Sequence, residues 1–314
     1  MKFDFDDINL VPKKCIVQSR NECDTTVTLG NYKFKLPIVP ANMECVLDTT
    51  LAETLATNGY FYILHRFMSD EKTLDFIQDM NNQNLVSSIS LGVNEDSYGL
   101  IKKILNKHLR VNFITIDIAH GHAMKMEKML RHIKNFMPET FVIAGNVSTT
   151  EAVLDLESWG ADAIKVGIGP GSACTTYPST GFGSRNCQAS TIYSCSLAAS
   201  TPLIADGGIR NPGDIAKALS LGATMVMTGG MLSGYRDSPG SIVEIDGKKF
   251  KEFWGSASSY QSGKSNRIEG KKSLVEFKNE SIVDGMKYIQ ECIQSSISYA
   301  GGNDLSAFIN TKWI

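Results

Sequence analysis

The sequence has few prolines and no long apolar stretch. Only 9 of its 314 residues are proline, and no apolar run approaches the roughly 18 residues that a membrane-spanning helix needs. Residues 1–7 are acidic and aromatic, unlike the basic and apolar start of a signal peptide. We therefore expect a cytoplasmic protein that has no membrane partner.

An excess of charge of either sign is also missing. The chain carries 31 basic and 33 acidic side chains, for a net charge of -2. A protein that binds a phosphate backbone needs a basic face or stripe, and this sequence contains no such run. We expect no nucleic-acid partner.

The cysteines lack the spacing of a disulfide or zinc framework. Their number, 7, is odd, and no Cys-x-x-Cys pair occurs. Such a scattered set is typical of a reducing compartment. Most of these cysteines are expected to be small buried apolar side chains, and only Cys174 has sequence neighbours that indicate chemistry.

Short β-branched runs alternate with longer segments of helical periodicity along the chain. This alternation is typical of repeated βα units. It predicts eight strands, at residues 36–41, 60–65, 85–91, 112–119, 141–147, 163–169, 202–208 and 224–230. Eight such units without a change in composition predict an α/β fold with a single (β/α)8 TIM barrel as the only domain, over residues 1–314. The alternative is a doubly wound open sheet, which requires a topological switch point and usually has fewer strands.

Local signals mark the ends of several predicted helices. Ser148 and Glu151 have the spacing of a capping box. Asn211 is predicted to cap a helix that has Pro212 at its first position. Near the C-terminus one long apolar stripe is predicted to pack on the barrel exterior, and it consists of Ile282, Met286, Ile289, Ile293 and Ile297. Two connections, 170–189 and 231–281, are longer than a barrel needs, which is typical of functional loops.

Pairs of glycines follow the last two predicted strands, where a barrel places its active site. They are Gly207 with Gly208, after Asp206, and Gly229 with Gly230. Glycines let backbone N–H groups approach a ligand closely, and barrels commonly bind phosphate at these two loops. The pairs therefore predict a phosphorylated ligand, although glycines of ordinary tight turns are the alternative.

A glycine-rich loop at residues 167–176 brings a cysteine to the same end of the barrel. Backbone N–H groups near Cys174 would favour its thiolate, which indicates a nucleophile. Thr176 could reach the same reacting centre with its hydroxyl. A buried structural cysteine beside a turn is the alternative interpretation.

Two histidines, His120 and His122, follow the fourth predicted strand. A zinc hydrolase could use such a pair, but catalytic zinc requires three protein ligands, and the remaining histidines form no matching set. A polar, cofactor-lining or helix-start role is the other interpretation.

The loop at 167–176, Gly-Ile-Gly-Pro-Gly-Ser-Ala-Cys-Thr-Thr, closely resembles the catalytic loop of the IMP dehydrogenase and GMP reductase family. Further segments are similar to that family, and they extend over almost the whole chain. They are Phe-Asp-Phe-Asp-Asp-Ile at 3–8, Pro-Ala-Asn-Met at 40–43, Ala-Asp-Gly-Gly-Ile at 205–209, Gly-Gly-Met-Leu at 229–232 and Arg-Ile-Glu-Gly-Lys at 267–271.

The resemblance implies a purine nucleotide, GMP or IMP, whose C2 is attacked by Cys174. Thr176 and Glu269 would relay the proton that the leaving ammonia needs, and Asp206 would bind the ribose hydroxyls. The other implied substrate contacts are Gly207, Gly208, Gly229, Gly230, Gly255, Ser256 and Gly270.

The resemblance also implies a cofactor, a cation and an assembly. NADPH would contact Asp117, Ile118 and Ala119, together with Ser295 and Ser298 on the last helix of a neighbouring subunit, which presumes a homotetramer. The backbone carbonyls of Gly169, Gly171 and Cys174 resemble the potassium site of the family.

Three features favour the reductase branch of the family, which converts GMP to IMP and ammonia. The connection at 68–84 has no room for the CBS modules that dehydrogenases usually carry. No Arg-Tyr dipeptide for activating water occurs between Gly255 and Glu269, and the segments 248–255 and 269–271 look like the reductase pattern.

Two alternatives are an IMP dehydrogenase with an altered flap and a non-catalytic nucleotide-binding barrel that acts as a sensor. The chain also departs from the family pattern in places. Tyr177 stands where a basic residue often follows, and Gly255-Ser256-Ala257 replaces a more common Gly-Met-Ser.

Overall fold

A parallel sheet of seven strands forms the centre of the computed structural model, which describes residues 2–262 and 269–314. The strands follow the chain as β3 (Ile38–Pro40), β4 (Ser88–Leu91), β5 (Phe113–Asp117), β6 (Phe141–Val147), β7 (Ala163–Val166), β8 (Leu203–Asp206) and β9 (Met225–Thr228). They are hydrogen-bonded in the order β3-β9-β8-β7-β6-β5-β4, and every pair is parallel. This arrangement confirms the predicted α/β class and the TIM-barrel type of fold.

Helices connect the strands and cover the outside of the sheet. They are α1 (Thr49–Thr57), α2 (Asp70–Asn82), α3 (Glu95–Asn106), α4 (Met124–Phe136), α5 (Thr150–Ser158), α6 (Thr176–Thr180), α7 (Gln188–Ala198), α8 (Pro212–Ser220), α9 (Gly230–Ser233), α10 (Ser259–Ser262) and α11 (Ile282–Tyr299). No helix within the described ranges is long and apolar enough to cross a membrane.

The second predicted strand, at 60–65, is the exception to the strand predictions. Residues 60–64 are buried, but in the described part of the chain they form no strand, and a single parallel bridge joins Leu64 to Ile89 of β4. A side chain replaces part of the expected ladder. The Tyr62 hydroxyl donates to the carbonyl of Val86 at 2.7 Å and accepts from the amide of Ser88 at 3.2 Å. Residues 60–64 therefore take the place of the eighth strand, and the Tyr62 side chain as well as the backbone connects them to the sheet.

An N-terminal hairpin closes one end of the barrel. It consists of β1 (Val27–Leu29) and β2 (Tyr32–Phe34), paired antiparallel. Phe34 packs on Phe61, with ring centroids 4.8 Å apart, and Phe61 packs on Phe113 at 4.9 Å. These rings join the apolar interior formed by strand side chains. Because the hairpin fills this end, the ligand site must lie at the other.

The helix-end predictions have different outcomes. Asn211 caps α8 by accepting the amide of Asp214, with Pro212 in the first turn, which confirms that prediction. The capping residue of α5 is Thr149, whose hydroxyl accepts the amide of Ala152, so the assignment to Ser148 was wrong by one position. The apolar stripe of α11 is buried throughout, as predicted.

The long connection at 231–281 carries a small sheet that the sequence analysis did not predict. It contains β10 (Ile242–Ile245), β11 (Lys248–Trp254) and β12 (Lys272–Glu276), paired antiparallel in that order. Two described segments between β11 and β12, residues 255–262 and 269–271, lie beside the C-terminal ends of the barrel strands, and we call them the flap. Residues 263–268, with Arg267 and Ile268 of the family-like segment, lie outside the described residues.

Candidate active site

A cavity of about 590 Å³ opens at the C-terminal ends of the barrel strands. The cysteine loop, the ends of β5 and β8, the start of α9 and both described arms of the flap line it. The sequence-predicted residues that line it are Asp117, Ile118, Ala119, Gly169, Gly171, Cys174, Thr176, Asp206, Gly207, Gly208, Gly229, Gly230, Gly255, Ser256 and Glu269. The structure thus brings together residues that are far apart in the chain.

Cys174, Thr176 and Glu269 form one hydrogen-bonded chain in this cavity. The sulfur of Cys174 lies 3.2 Å from Oγ1 of Thr176, and that hydroxyl donates to Oε2 of Glu269 at 2.7 Å. A hydroxyl has one proton, and the contact with Glu269 uses it. The sulfur of Cys174 also lies 3.6 Å from the backbone carbonyl oxygen of Glu269, so the thiol proton has two acceptors within reach. The contacts connect the thiol through the hydroxyl to the carboxylate.

Backbone pairing with the flap fixes the position of the cysteine loop. The amide of Thr175 donates to the carbonyl of Glu269 at 3.0 Å, and the amide of Lys271 donates to Ala173 at 2.9 Å. Gly270 lies opposite Cys174 in an antiparallel bridge. A Cβ on Gly270 would lie 2.8 Å from the amide nitrogen of Ser258, so only glycine fits between the two segments. This pairing places Glu269 beside Thr176.

The two glycine pairs lie at the ends of neighbouring strands, and the amide of Gly207 donates to the carbonyl of Met227 at 3.3 Å. Gly207 and Gly208 follow β8 directly, whereas Gly229 and Gly230 lie between β9 and α9. All four line the same cavity, and the Ser172 hydroxyl is close to Gly230.

Behind the cavity a buried lysine bridges two carboxylates, which sequence reasoning missed. Lys165 of β7 has a side chain only 2% exposed, and its ammonium lies 2.8 Å from Oδ1 of Asp117 and 3.0 Å from Oδ2 of Asp206. Asn146 donates to Oδ2 of Asp206 at 2.7 Å, and Asn42 donates to Oδ2 of Asp117 at 3.1 Å. The available signal was the lone lysine in an otherwise apolar strand, because a buried charge requires a partner.

Opposite charges outweigh burial at this bridge. Burial alone would lower the pKa of Lys165, but the charges of Asp117 and Asp206 raise it above its usual range. Burial alone would raise the pKa of Asp117, yet the Lys165 charge and hydrogen bond hold it below its usual range. The lysine is therefore protonated and Asp117 ionised at neutral pH.

Two predicted cofactor contacts lie away from the cavity, on α11. The hydroxyl of Ser295 accepts from Arg20 at 3.1 Å, and Ser298 donates to the carbonyl of Ser295 at 2.7 Å. Both residues are predicted to contact the cofactor of a neighbouring subunit, and within one chain this stays a prediction.

The two histidines after β5 do not form a metal centre. His122 lies 2.7 Å from a carboxylate oxygen of Asp155, and His120 is exposed. In residues 2–262 and 269–314 no group of three or more His, Cys, Asp or Glu side chains could hold a metal ion.

Comparison with known proteins agrees with this site. The family model described as IMP dehydrogenase / GMP reductase domain matches residues 2–312. Proteins named GMP reductase from Lysinibacillus sphaericus (strain C3-41) and Bacillus anthracis are each 53% identical over 312 residues, which is 99% of this chain and 95% of theirs. A protein of the same name from Oceanobacillus iheyensis is 54% identical over the same shares of both chains. The chain belongs to the IMP dehydrogenase / GMP reductase family.

Proposed function

We propose that this protein is a GMP reductase, an oxidoreductase that uses NADPH to convert GMP to IMP and ammonia. The observation that carries the proposal is the hydrogen-bonded chain from Cys174 through Thr176 to Glu269. Such a chain supplies both a nucleophile and a route for its proton, which are the two requirements for displacing an amino group.

The first step is addition of the Cys174 sulfur to C2 of the purine. The thiol proton passes through Thr176 to Glu269, which leaves a thiolate to attack and a protonated carboxyl group beside the substrate. Amide ion is too basic to leave, so the 2-amino group must gain a proton before the C–N bond breaks. Glu269 and Thr176 return the proton, and ammonia departs with the electron pair of that bond.

The second step reduces C2 of the covalent adduct. A bound nicotinamide would supply one hydride to C2. The sulfur of Cys174 would then leave C2 with the electrons of the C–S bond, which yields IMP. Asp117, Ile118 and Ala119 line the cavity with Cys174 and would hold the nicotinamide ribose and ring. The choice of NADPH follows the family resemblance.

Substrate binding would use the backbone and one carboxylate. The glycine pairs after β8 and β9 would bind the 5′-phosphate, and the carboxylate of Asp206 would accept hydrogen bonds from the ribose hydroxyls. Gly255, Ser256 and Gly270 would contact the nucleotide from the flap.

A potassium ion and a homotetramer complete the proposal. The carbonyls of Gly169, Gly171 and Cys174 are neutral oxygen donors, which suit a monovalent cation that holds the cysteine loop in shape. Ser295 and Ser298 would reach the cofactor of a neighbouring subunit.

The whole chain acts as one catalytic domain, and its seven free cysteines favour the cytoplasm.

The choice of the reductase branch has structural support. The single helix α2 connects residues 60–64 to β4 without an inserted module. The sequence from Gly255 to Glu269 contains no Arg-Tyr dipeptide that could activate water, so hydrolysis of the adduct would lack its base.

Replacing the nucleophile tests the proposal. Cys174→Ala should lower kcat for NADPH oxidation with GMP by several orders of magnitude, because no covalent adduct can form. Cys187→Ala, in the neighbouring loop, is the matched control and should keep wild-type turnover. Turnover that persists in Cys174→Ala would show that another group attacks the purine.

A further inference from the structure

One buried ammonium group lies between the two carboxylates that face the proposed ligands. Asp117 is the last residue of β5, Asp206 is the last residue of β8, and Lys165 reaches both from β7 between them. Both aspartates line the cavity, and each keeps 19% of its side chain exposed, whereas Lys165 is buried behind them. Lys165 can therefore act on a ligand only through the two carboxylates.

The hydrogen bonds of Asp206 fix which of its oxygens is available. Lys165 and Asn146 both donate to Oδ2, at 3.0 and 2.7 Å. Among the described residues, the carboxylate of Asp206 accepts these two side-chain hydrogen bonds, both at Oδ2. Its Oδ1 is therefore available to a ligand. A carboxylate held in this way presents one fixed acceptor to a pair of hydroxyl groups.

Counted by themselves, Lys165 and the two carboxylates leave an excess of one negative charge. Lys165 contributes one positive charge against the two carboxylates, and the charge of Arg66 also acts on Asp117 from the side of the cavity. Without Lys165 the two carboxylates would share a buried site with no cation between them. Two such groups resist ionising together, so one proton would be held to a higher pH.

We propose that Lys165 is a positioning residue that holds Asp206 with Oδ1 turned towards the ribose subsite, while it fixes Asp117 at the cofactor subsite. The identity of the two ligands rests on the proposed function. The positioning itself rests on the two short contacts and on the burial of the lysine.

Binding of IMP to Lys165→Met tests this role without turnover. Methionine has a similar length and no charge. The measured quantity is the ratio of the dissociation constants of the variant and the wild type, by calorimetry from pH 6 to pH 9, which cancels titration of IMP itself. We expect roughly tenfold weaker binding at pH 6, equivalent to one charged hydrogen bond. The ratio should fall as the pH rises, because the pair of carboxylates left without Lys165 then loses its shared proton.

A double variant and a control make the test specific. Asp117→Asn combined with Lys165→Met restores the excess of one negative charge, so the pH dependence of the ratio should disappear. Lys134→Met removes a lysine that pairs with Asp162 at 2.8 Å, outside the cavity, and should bind IMP like the wild type. A ratio near one for Lys165→Met, or a pH dependence that survives in the double variant, would overturn the proposal.

The outcomes separate this proposal from the proposed function. If the wild type binds IMP but does not oxidise NADPH with GMP, the proposed function fails and the binding test of Lys165 still stands. If the wild type does not bind IMP, the positioning proposal fails as well. If Lys165→Met does not fold, the charge-balanced double variant should still show a cooperative melting transition. A double variant that also fails to fold would refute the coupling between the lysine and the two carboxylates.

Discussion

The direction of a proton decides what the residues of the cavity can do. Thr176 donates to Glu269 and its oxygen lies beside the sulfur of Cys174, so in the proposed mechanism the carboxylate is the base that receives the thiol proton. The same carboxyl group is then the acid when ammonia leaves. Sequence reasoning named all three residues, but it could not supply this direction, because Glu269 lies 93 positions from Thr176 and meets it only through the flap.

Glu269→Gln should separate the two half-reactions. Glutamine cannot deliver the proton that ammonia needs to leave, so kcat for GMP should fall by roughly 10²-fold or more. Hydride exchange between IMP and the cofactor needs no ammonia release and should be retained in part, as isotope transfer would show. Glu276→Gln, an exposed glutamate of β12, is the control. Equal loss of both half-reactions would contradict the role of Glu269.

Elements were predictable where a local pattern matched the final environment. The parallel strands and α11 have one buried side or stripe, and their patterns gave the correct positions. The sheet of β10, β11 and β12 was not predicted because Lys251 of β11 is buried. Its ammonium donates to the carbonyls of Arg236 and Ser238. A lysine at an inward position hides the alternation that would have predicted a strand. At 60–65 a strand was predicted where none forms, because the hydroxyl of Tyr62 bonds to backbone groups that a neighbouring strand would otherwise pair with.

The connection between β7 and the cysteine loop depends on a glycine. Gly167 has a φ of +143°, and a Cβ there would collide with the carbonyl oxygen of Asp206. Gly167→Ala should lower the free energy of unfolding by on the order of 3 kcal/mol and weaken IMP binding, because Asp206 must move. Denaturant unfolding and calorimetry would measure both effects.

Gly171→Ala is the matched control in the same loop. A Cβ at this position meets no atom within 4 Å among the described residues, and its φ is outside the left-handed region. Its stability should stay near that of the wild type. A loss as large as that of Gly167→Ala would show that the collision with Asp206 is not the cause.

At the scale of the whole molecule, the barrel has one closed and one open end. The hairpin of β1 and β2 fills the first, and the cysteine loop, the glycine pairs and the flap surround the second. The repeat of βα units and the glycine-rich strand ends predicted the open end, whereas the hairpin at the other end was not predicted from the sequence. The pattern could not reveal the network of Asp117, Lys165 and Asp206, since its members come from three strands whose spacing only the closed sheet determines.

The most direct test of the account is an assay of the wild-type protein in both directions. Incubation with GMP and NADPH should oxidise one NADPH for each IMP and ammonia formed, with the purine identified by chromatography. Incubation with IMP and NAD⁺ should give no sustained formation of XMP. Continued XMP formation would contradict the account in favour of a dehydrogenase, and nucleotide binding without turnover of GMP would contradict it in favour of a sensor.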